Sequence, residues 1–122
     1  MPKTTESISF QASQSLPAAQ SVTGSAVDLR EKHGALLTAR VTNGATGPGA
    51  PVVFSVEVSR DNFLADVRTL FAAGSKTANN AITDFPVPVA YEVMWARTKF
   101  DNTAGGQAVT VEAGAHVVKA LG

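Results

Sequence analysis

The sequence predicts an all-β chain: an antiparallel β-sandwich or jelly roll of about six to eight strands, preceded by a polar, extended N-terminal arm. Runs at 35–43, 52–59 and 109–117 alternate apolar and polar residues with period two, the mark of strands buried on one face. Turn signals rich in Gly, Pro, Asn and Asp separate such runs about every 8–14 residues. Only 63–73 shows a helical spacing of apolar groups, and its Val67, Thr69 and Phe71 also alternate.

Residues 1–20 are rich in Ser, Gln, Thr and Ala, with Ile8, Phe10 and Leu16 as the sizeable apolar groups. Such a segment packs no core by itself and reads as a terminal arm, separate from a sandwich domain at 21–122. The alternation of Ile8, Phe10 and Ala12 also allows a short strand against a sheet edge. Residues 21–29 form a weak strand that Gly24 bends or bulges. A polar turn at 30–34 follows, with Gly34 available for positive φ. In 35–43, Ala35, Leu37, Ala39 and Val41 share a face, with Thr38, Arg40 and Thr42 opposite.

The stretch 44–51 has too much Gly and Pro for regular structure and reads as a flexible loop. In 52–59, Val52, Phe54, Val56 and Val58 face one way. Between strands so regularly spaced, 63–73 is expected as a loop followed by a short strand. Residues 74–80 form another loop and 81–85 a short strand, after which Pro86 and Pro88 restrict the connection. The run 89–100 puts Val89, Tyr91, Val93 and Trp95 on one face, which predicts that Trp95 is buried in the core. With 109–117 and the polar loop 101–106 it reads as a long hairpin that carries the only Trp and the only Tyr.

A length of 122 residues suits one domain, and 44% hydrophobic residues suffice for a core. Ten basic and ten acidic side chains cancel and are dispersed, which argues against nucleic acid or an anionic membrane as partner. The absence of cysteine excludes thiol catalysis, Cys-based zinc sites and disulfides. The first residues lack the apolar core of a secretory signal, and no segment has the apolar length to cross a bilayer. Synthesis in a cytoplasm is the simplest expectation.

The sequence offers no catalytic constellation. His33 and His116 are far apart, without a second ligand at metal spacing, and read as solvated side chains. Glu57, Glu92 and Glu112 are the candidates for carboxylates on neighbouring strands, the pairing that glycosidic chemistry needs, although solvent-facing strand positions explain them as well. There is no Gly-x-Ser-x-Gly elbow, and 44–49 lacks the Gly-Lys-Ser/Thr ending of a phosphate loop. No catalytic, cofactor or metal residue is assigned.

Four stretches are similar to small structural proteins of tailed-bacteriophage virions: Ser25-Ala-Val-Asp-Leu-Arg-Glu-Lys-His-Gly34, Ala39-Arg-Val-Thr-Asn-Gly-Ala-Thr-Gly-Pro48, Val53-Phe-Ser-Val-Glu-Val-Ser59 and Gly106-Gln-Ala-Val-Thr-Val-Glu-Ala113. The resemblance implies a β-sandwich virion component without enzymatic activity, made in the host cytoplasm and present in many copies. A capsid decoration protein on the head exterior fits best, with a neck or tail component, or a carbohydrate-binding or adhesion module, as alternatives. The implied partners are the major capsid protein or another virion protein and further copies of the chain, with a trimer as the candidate stoichiometry. Ile8, Phe10 and Leu16 of the arm, and Thr46 and Pro48 of the 44–51 loop, are the residues expected to contact neighbours. Where such domains carry an aromatic-bearing insertion, residues 62–72 have Asn-Phe-Leu-Ala-Asp-Val-Arg-Thr-Leu-Phe-Ala, so no loop function carries over.

Overall fold

The computed structural model describes residues 3–90 and 94–121. Among these described residues nine strands follow in chain order: β1 Lys3–Leu16, β2 Ser21–Thr23, β3 Val27–Asp28, β4 Ala35–Asn43, β5 Val53–Ser59, β6 Arg68–Gly74, β7 Ile82–Val89, β8 Trp95–Asp101 and β9 Val109–Leu121. One sheet has the order β1-β9-β4-β7; the other has β2-β8-β5-β6, with β3 also on β8. β2 and β3 lie along the same neighbour, Val22 opposite Phe100 and Val27 opposite Ala96, and so make one interrupted line. Counted that way, the first line pairs with the last, the second with the seventh, the third with the sixth and the fourth with the fifth, all antiparallel. This nested pairing is a jelly roll.

Alternation decides which residues meet between the sheets. β4 contributes Leu37, Ala39 and Val41, and β9 contributes Val109, Val111, Ala113, Ala115 and Val117. From the other sheet come Phe54 and Val56 of β5 and Ala96 and Phe100 of β8. Phe54 is the centre: its ring lies 4.9 Å from that of Phe100, 5.2 Å from Phe85 and 6.2 Å from Phe71. These are the centroid separations at which aromatic pairs attract beyond simple area burial.

Several expectations need correction. β8 and β9 do not form a hairpin: β8 pairs with β5 in one sheet, while β9 lies between β1 and β4 in the other. Period-two patterning reports which face a residue occupies and is silent about its partner strand. The inward phase also changes. Val89 is buried on β7, but on β8 the buried residues are Ala96, Thr98 and Phe100, so Trp95, Arg97 and Lys99 point outward and Trp95 lies outside the core. Tyr91 and Val93 lie outside the described residues. Pro86 and Pro88 sit within β7 rather than in a connection. That strand is an edge, and two prolines two residues apart place both missing N–H groups on its open side. The 63–73 stretch is a loop followed by β6.

Residues 3–16, expected to reach a neighbour, run along β9 from Lys3 opposite Leu121 to Leu16 opposite Val109, with three register shifts. The shifts around Gln11 turn its side chain inward, where Nε2 donates to the carbonyl of Thr98 at 3.0 Å and to its hydroxyl at 2.9 Å. Gly24 closes this knot. Its N–H bonds Thr98 O at 2.8 Å, and a Cβ there would stand 2.8 Å from Phe10 O and Gln11 Cγ. That close approach is why β2 and β3 are interrupted at a glycine.

Candidate functional site

The expected contact residues do not gather in one place. Phe10 and Leu16 are 6% and 2% exposed in the chain's own core, and Ile8 packs against it, so this trio serves folding within the chain. Thr46 is exposed and Pro48 buried in the loop end that joins β4 to β5. That end is knitted rather than flexible. Pro48 O accepts the N–H of Gly106 at 2.8 Å, Gly44 O that of Asn80 at 2.8 Å, and Asn79 Oδ1 that of Gly47 at 2.8 Å. Two buried asparagines anchor it. Asn43 Nδ2 donates to Lys76 O and Ala78 O, and Asn102 Nδ2 to Pro17 O and Gln107 O. Short polar side chains with two donors satisfy carbonyls that no ladder reaches.

The carboxylates expected to approach one another are apart. Glu57 lies on β5 and Glu112 on β9, in different sheets, and Glu92 lies outside the described residues. Glu57 is instead held by Arg97 at 2.8 Å. His33 and His116 are both exposed, on the 29–34 turn and on β9, and the backbone N–H of His33 bonds the carbonyl of Val118, two residues beyond His116, at 2.7 Å.

Two other features stand out, on opposite sides of the sandwich. The outward face of the β1-β9-β4-β7 sheet is a trough of about 880 Å³. Its floor has Leu36 and Thr38 of β4, Gly114 of β9 and Pro86 of β7, with Leu36 half exposed. Across it runs a charged row: Arg40 faces Asp84 on one neighbouring strand and Glu112 on the other. Arg40 Nε bonds Asp84 Oδ1 at 2.7 Å, so the row of one cation and two carboxylates is acidic in balance.

The second feature is the 60–67 loop beyond β5. Asp61 turns its carboxylate inward, accepting the N–H groups of Leu64, Ala65 and Asp66 and the hydroxyl of Ser59. Asp66 likewise takes the N–H of Arg60 at 2.9 Å and Nε of Arg68 at 3.1 Å. Asn62 and Phe63 both hold left-handed φ, 57° and 62°, which costs a side chain such as Phe and needs surrounding structure to enforce it. The Phe63 ring supplies part of that structure, lying 4.1 Å from the Arg97 guanidinium on the outward face of β8. The tip, Leu64, is 88% exposed. A loop this constrained displays its leucine at little further ordering cost.

The sequence matches no protein-family profile and no curated protein. The fold, by contrast, is similar to that of solved structures. A chain in the structure of the infectious bursal disease virus Gx strain superposes with a TM-score of 0.61 at 8% identity, over 94% of this chain and 32% of that one. The VP2 subviral particle of the same virus gives 0.57 at 10% identity, again over 94% and 32%. This chain therefore spans about a third of the length of those viral chains. A subunit of the endospore appendages of Bacillus, described as disulfide-linked pili, gives 0.54 at 13% identity over 98% of this chain and 93% of that one. At these identities the likeness is one of fold.

Among the described residues, no three His, Asp or Glu side chains gather where a metal ion could sit, and no helix is long and apolar enough to cross a membrane. What the surface does offer is shape: a knitted loop end, a trough and a rigid protruding loop. The signal for the last was present in Ser59-Arg-Asp-Asn62, a cluster of residues that bond their own backbone. The trough left no signal, because outward residues of four strands compose it.

Proposed function

We propose that this chain is a non-enzymatic structural subunit of a tailed-phage virion, most simply a capsid decoration protein bound in many copies to the head exterior. The observation that carries the reading is the jelly-roll order running through the described residues, with many of their ionisable side chains engaged in holding the framework. Arg30 pairs with Asp28, Lys32 with Glu6, Arg40 with Asp84 and Arg97 with Glu57, and Asp61 and Asp66 brace a loop. Groups so committed build rigid surfaces, and on a lattice many weak contacts by one rigid surface add up. The similarity of fold to chains in infectious bursal disease virus structures supports a place in a virus particle.

The carbohydrate-binding alternative needs an open aromatic platform. Trp95 does face outward, but the Arg30 guanidinium lies 4.8 Å from its ring centre and covers it. An antibody raised against the purified chain tests the reading on intact particles from a phage lysate. Repeated label over the heads supports decoration, label confined to neck or tail moves the chain there, and unlabelled particles reject a virion role.

A further inference from the structure

We propose that the chain associates head to tail with a second copy of itself, the Leu64 tip of one copy seated in the sheet trough of the next. The inference goes beyond the virion reading and stands or falls separately from it. Three observations carry it. The tip is built to be displayed: among the described residues Leu64 is the most exposed large apolar side chain, on a backbone held by Asp61 and Asp66. The trough offers a half-exposed Leu36 and the ring of Pro86 beside the small residues Thr38 and Gly114, a floor that can receive a branched aliphatic side chain.

Charge decides between pairings. Arg60 and Arg68 flank the tip with side chains 70% and 65% exposed, while their shared partner Asp66 is turned in at 17%. The outward pole of the loop is thus cationic, and the trough lining itself holds the carboxylates of Asp84 and Glu112 against the one guanidinium of Arg40, with Lys76 outside the lining and bonded to Ile82 O. Tip against tip would bring arginines together, and trough against trough would bring Glu112 against its own copy. Only tip into trough pairs opposite signs. Because the two surfaces lie on opposite faces of the sandwich, each copy keeps one of each free. Such a contact closes into a ring or grows as a filament.

Sedimentation and light scattering of the purified full chain, from about 10 µM to about 1 mM, test this in the range where small contacts form. The mass is expected to rise with concentration. Leu64→Asp, which spoils the tip, and Glu112→Arg, which spoils the trough, should each weaken association at least about tenfold while leaving circular dichroism unchanged and each variant fully folded at the assay temperature. Mixing the two variants is the decisive arm, since one retains a sound trough and the other a sound tip. They should form one-to-one dimers and nothing larger. Should Leu64→Asp fail to fold, Leu64→Ala takes its place. A wild type that stays monomeric, variants that associate like the wild type, or mixtures that grow past dimers would overturn the proposal.

Discussion

Gln11 Nε2 donates to the hydroxyl of Thr98 at 2.9 Å, so a side chain of the first strand is bonded to the middle of a strand in the opposite sheet. Both residues are buried, 6% and 0% exposed, and the same amide also reaches Thr98 O. A sandwich normally joins its sheets by apolar contact alone. Here a polar bolt crosses the core, and Gln14 Nε2 supports it by donating to Gln11 Oε1 at 3.1 Å.

Breaking one half of that bolt strands the other. Gln11→Leu should destabilise the fold by about 1–3 kcal/mol, the cost of leaving a buried hydroxyl without its donor. Adding Thr98→Val should recover much of the loss, because it removes the hydroxyl left without its donor while Thr98 O keeps the N–H of Gly24. Urea unfolding of the two single variants and the double variant measures the coupling directly, and additive losses would refute it.

Phe54 should be the most sensitive core position. It is fully buried and touches Phe71, Phe85 and Phe100, which themselves come from three different strands. Phe54→Ala should cost about 3–5 kcal/mol in urea unfolding, with Phe54→Leu well below that.

The knitted loop end predicts a steric asymmetry. A Cβ on Gly47 would overlap the backbone carbonyl of Thr77, which cannot swing aside as a flexible side chain could. Gly47→Ala should therefore lower stability by about 1–3 kcal/mol and open the 44–51 loop to proteolysis, whereas Ala45→Ser at an exposed neighbour should change stability by less than about 0.5 kcal/mol. Limited proteolysis with mass mapping reads the first effect and thermal melting the second.

Acid should loosen the chain in a defined window. The Arg30 guanidinium bonded to Asp28 holds that carboxyl down from 3.8 to about 2, and Arg40 does the same in direction for Asp84. Asp66 is lowered too, first by the N–H of Arg60 and then by Arg68. A carboxylate with a depressed folded pKa binds fewer protons folded than unfolded. Its contribution is complete above the unfolded value and disappears as pH falls through the folded one. Stability should thus hold from about pH 7 to about pH 5 and drop between about pH 4 and pH 2. Carboxyl titration by NMR should find Asp28 near 2, rising toward its ordinary range in Arg30→Ala.

The strands that the amino-acid order makes plain are those with one buried face. Leu37, Ala39 and Val41, or Val109, Val111 and Ala113, sit at every second position because the sheet has two unlike sides. What stays hidden is whatever depends on a distant partner. Alternation through Val89 and Trp95 looked continuous, yet these residues belong to different sheets and opposite phases. β1 was legible only as a short edge strand through Ile8, Phe10 and Ala12, because Ser7, Ser9 and Gln11 are polar, and the burial of Gln11 makes sense only beside Thr98, 87 positions away. Leu64 was visible as one apolar residue among several. Its exposure follows from the Asp61 brace beneath it: Ser59-Arg-Asp-Asn62 signals a self-bonded turn, but which residue that turn lifts into solvent depends on the hydrogen bonds Asp61 makes to Leu64 and Ala65.

A cryo-electron-microscopy map of the intact particle decides whether this jelly-roll chain serves by shape and docking on a virus particle. Density fitting the β1-β9-β4-β7 and β2-β8-β5-β6 sheets is expected at many symmetry-related positions on the outside of the head. A complete particle map with no such density anywhere would contradict that role.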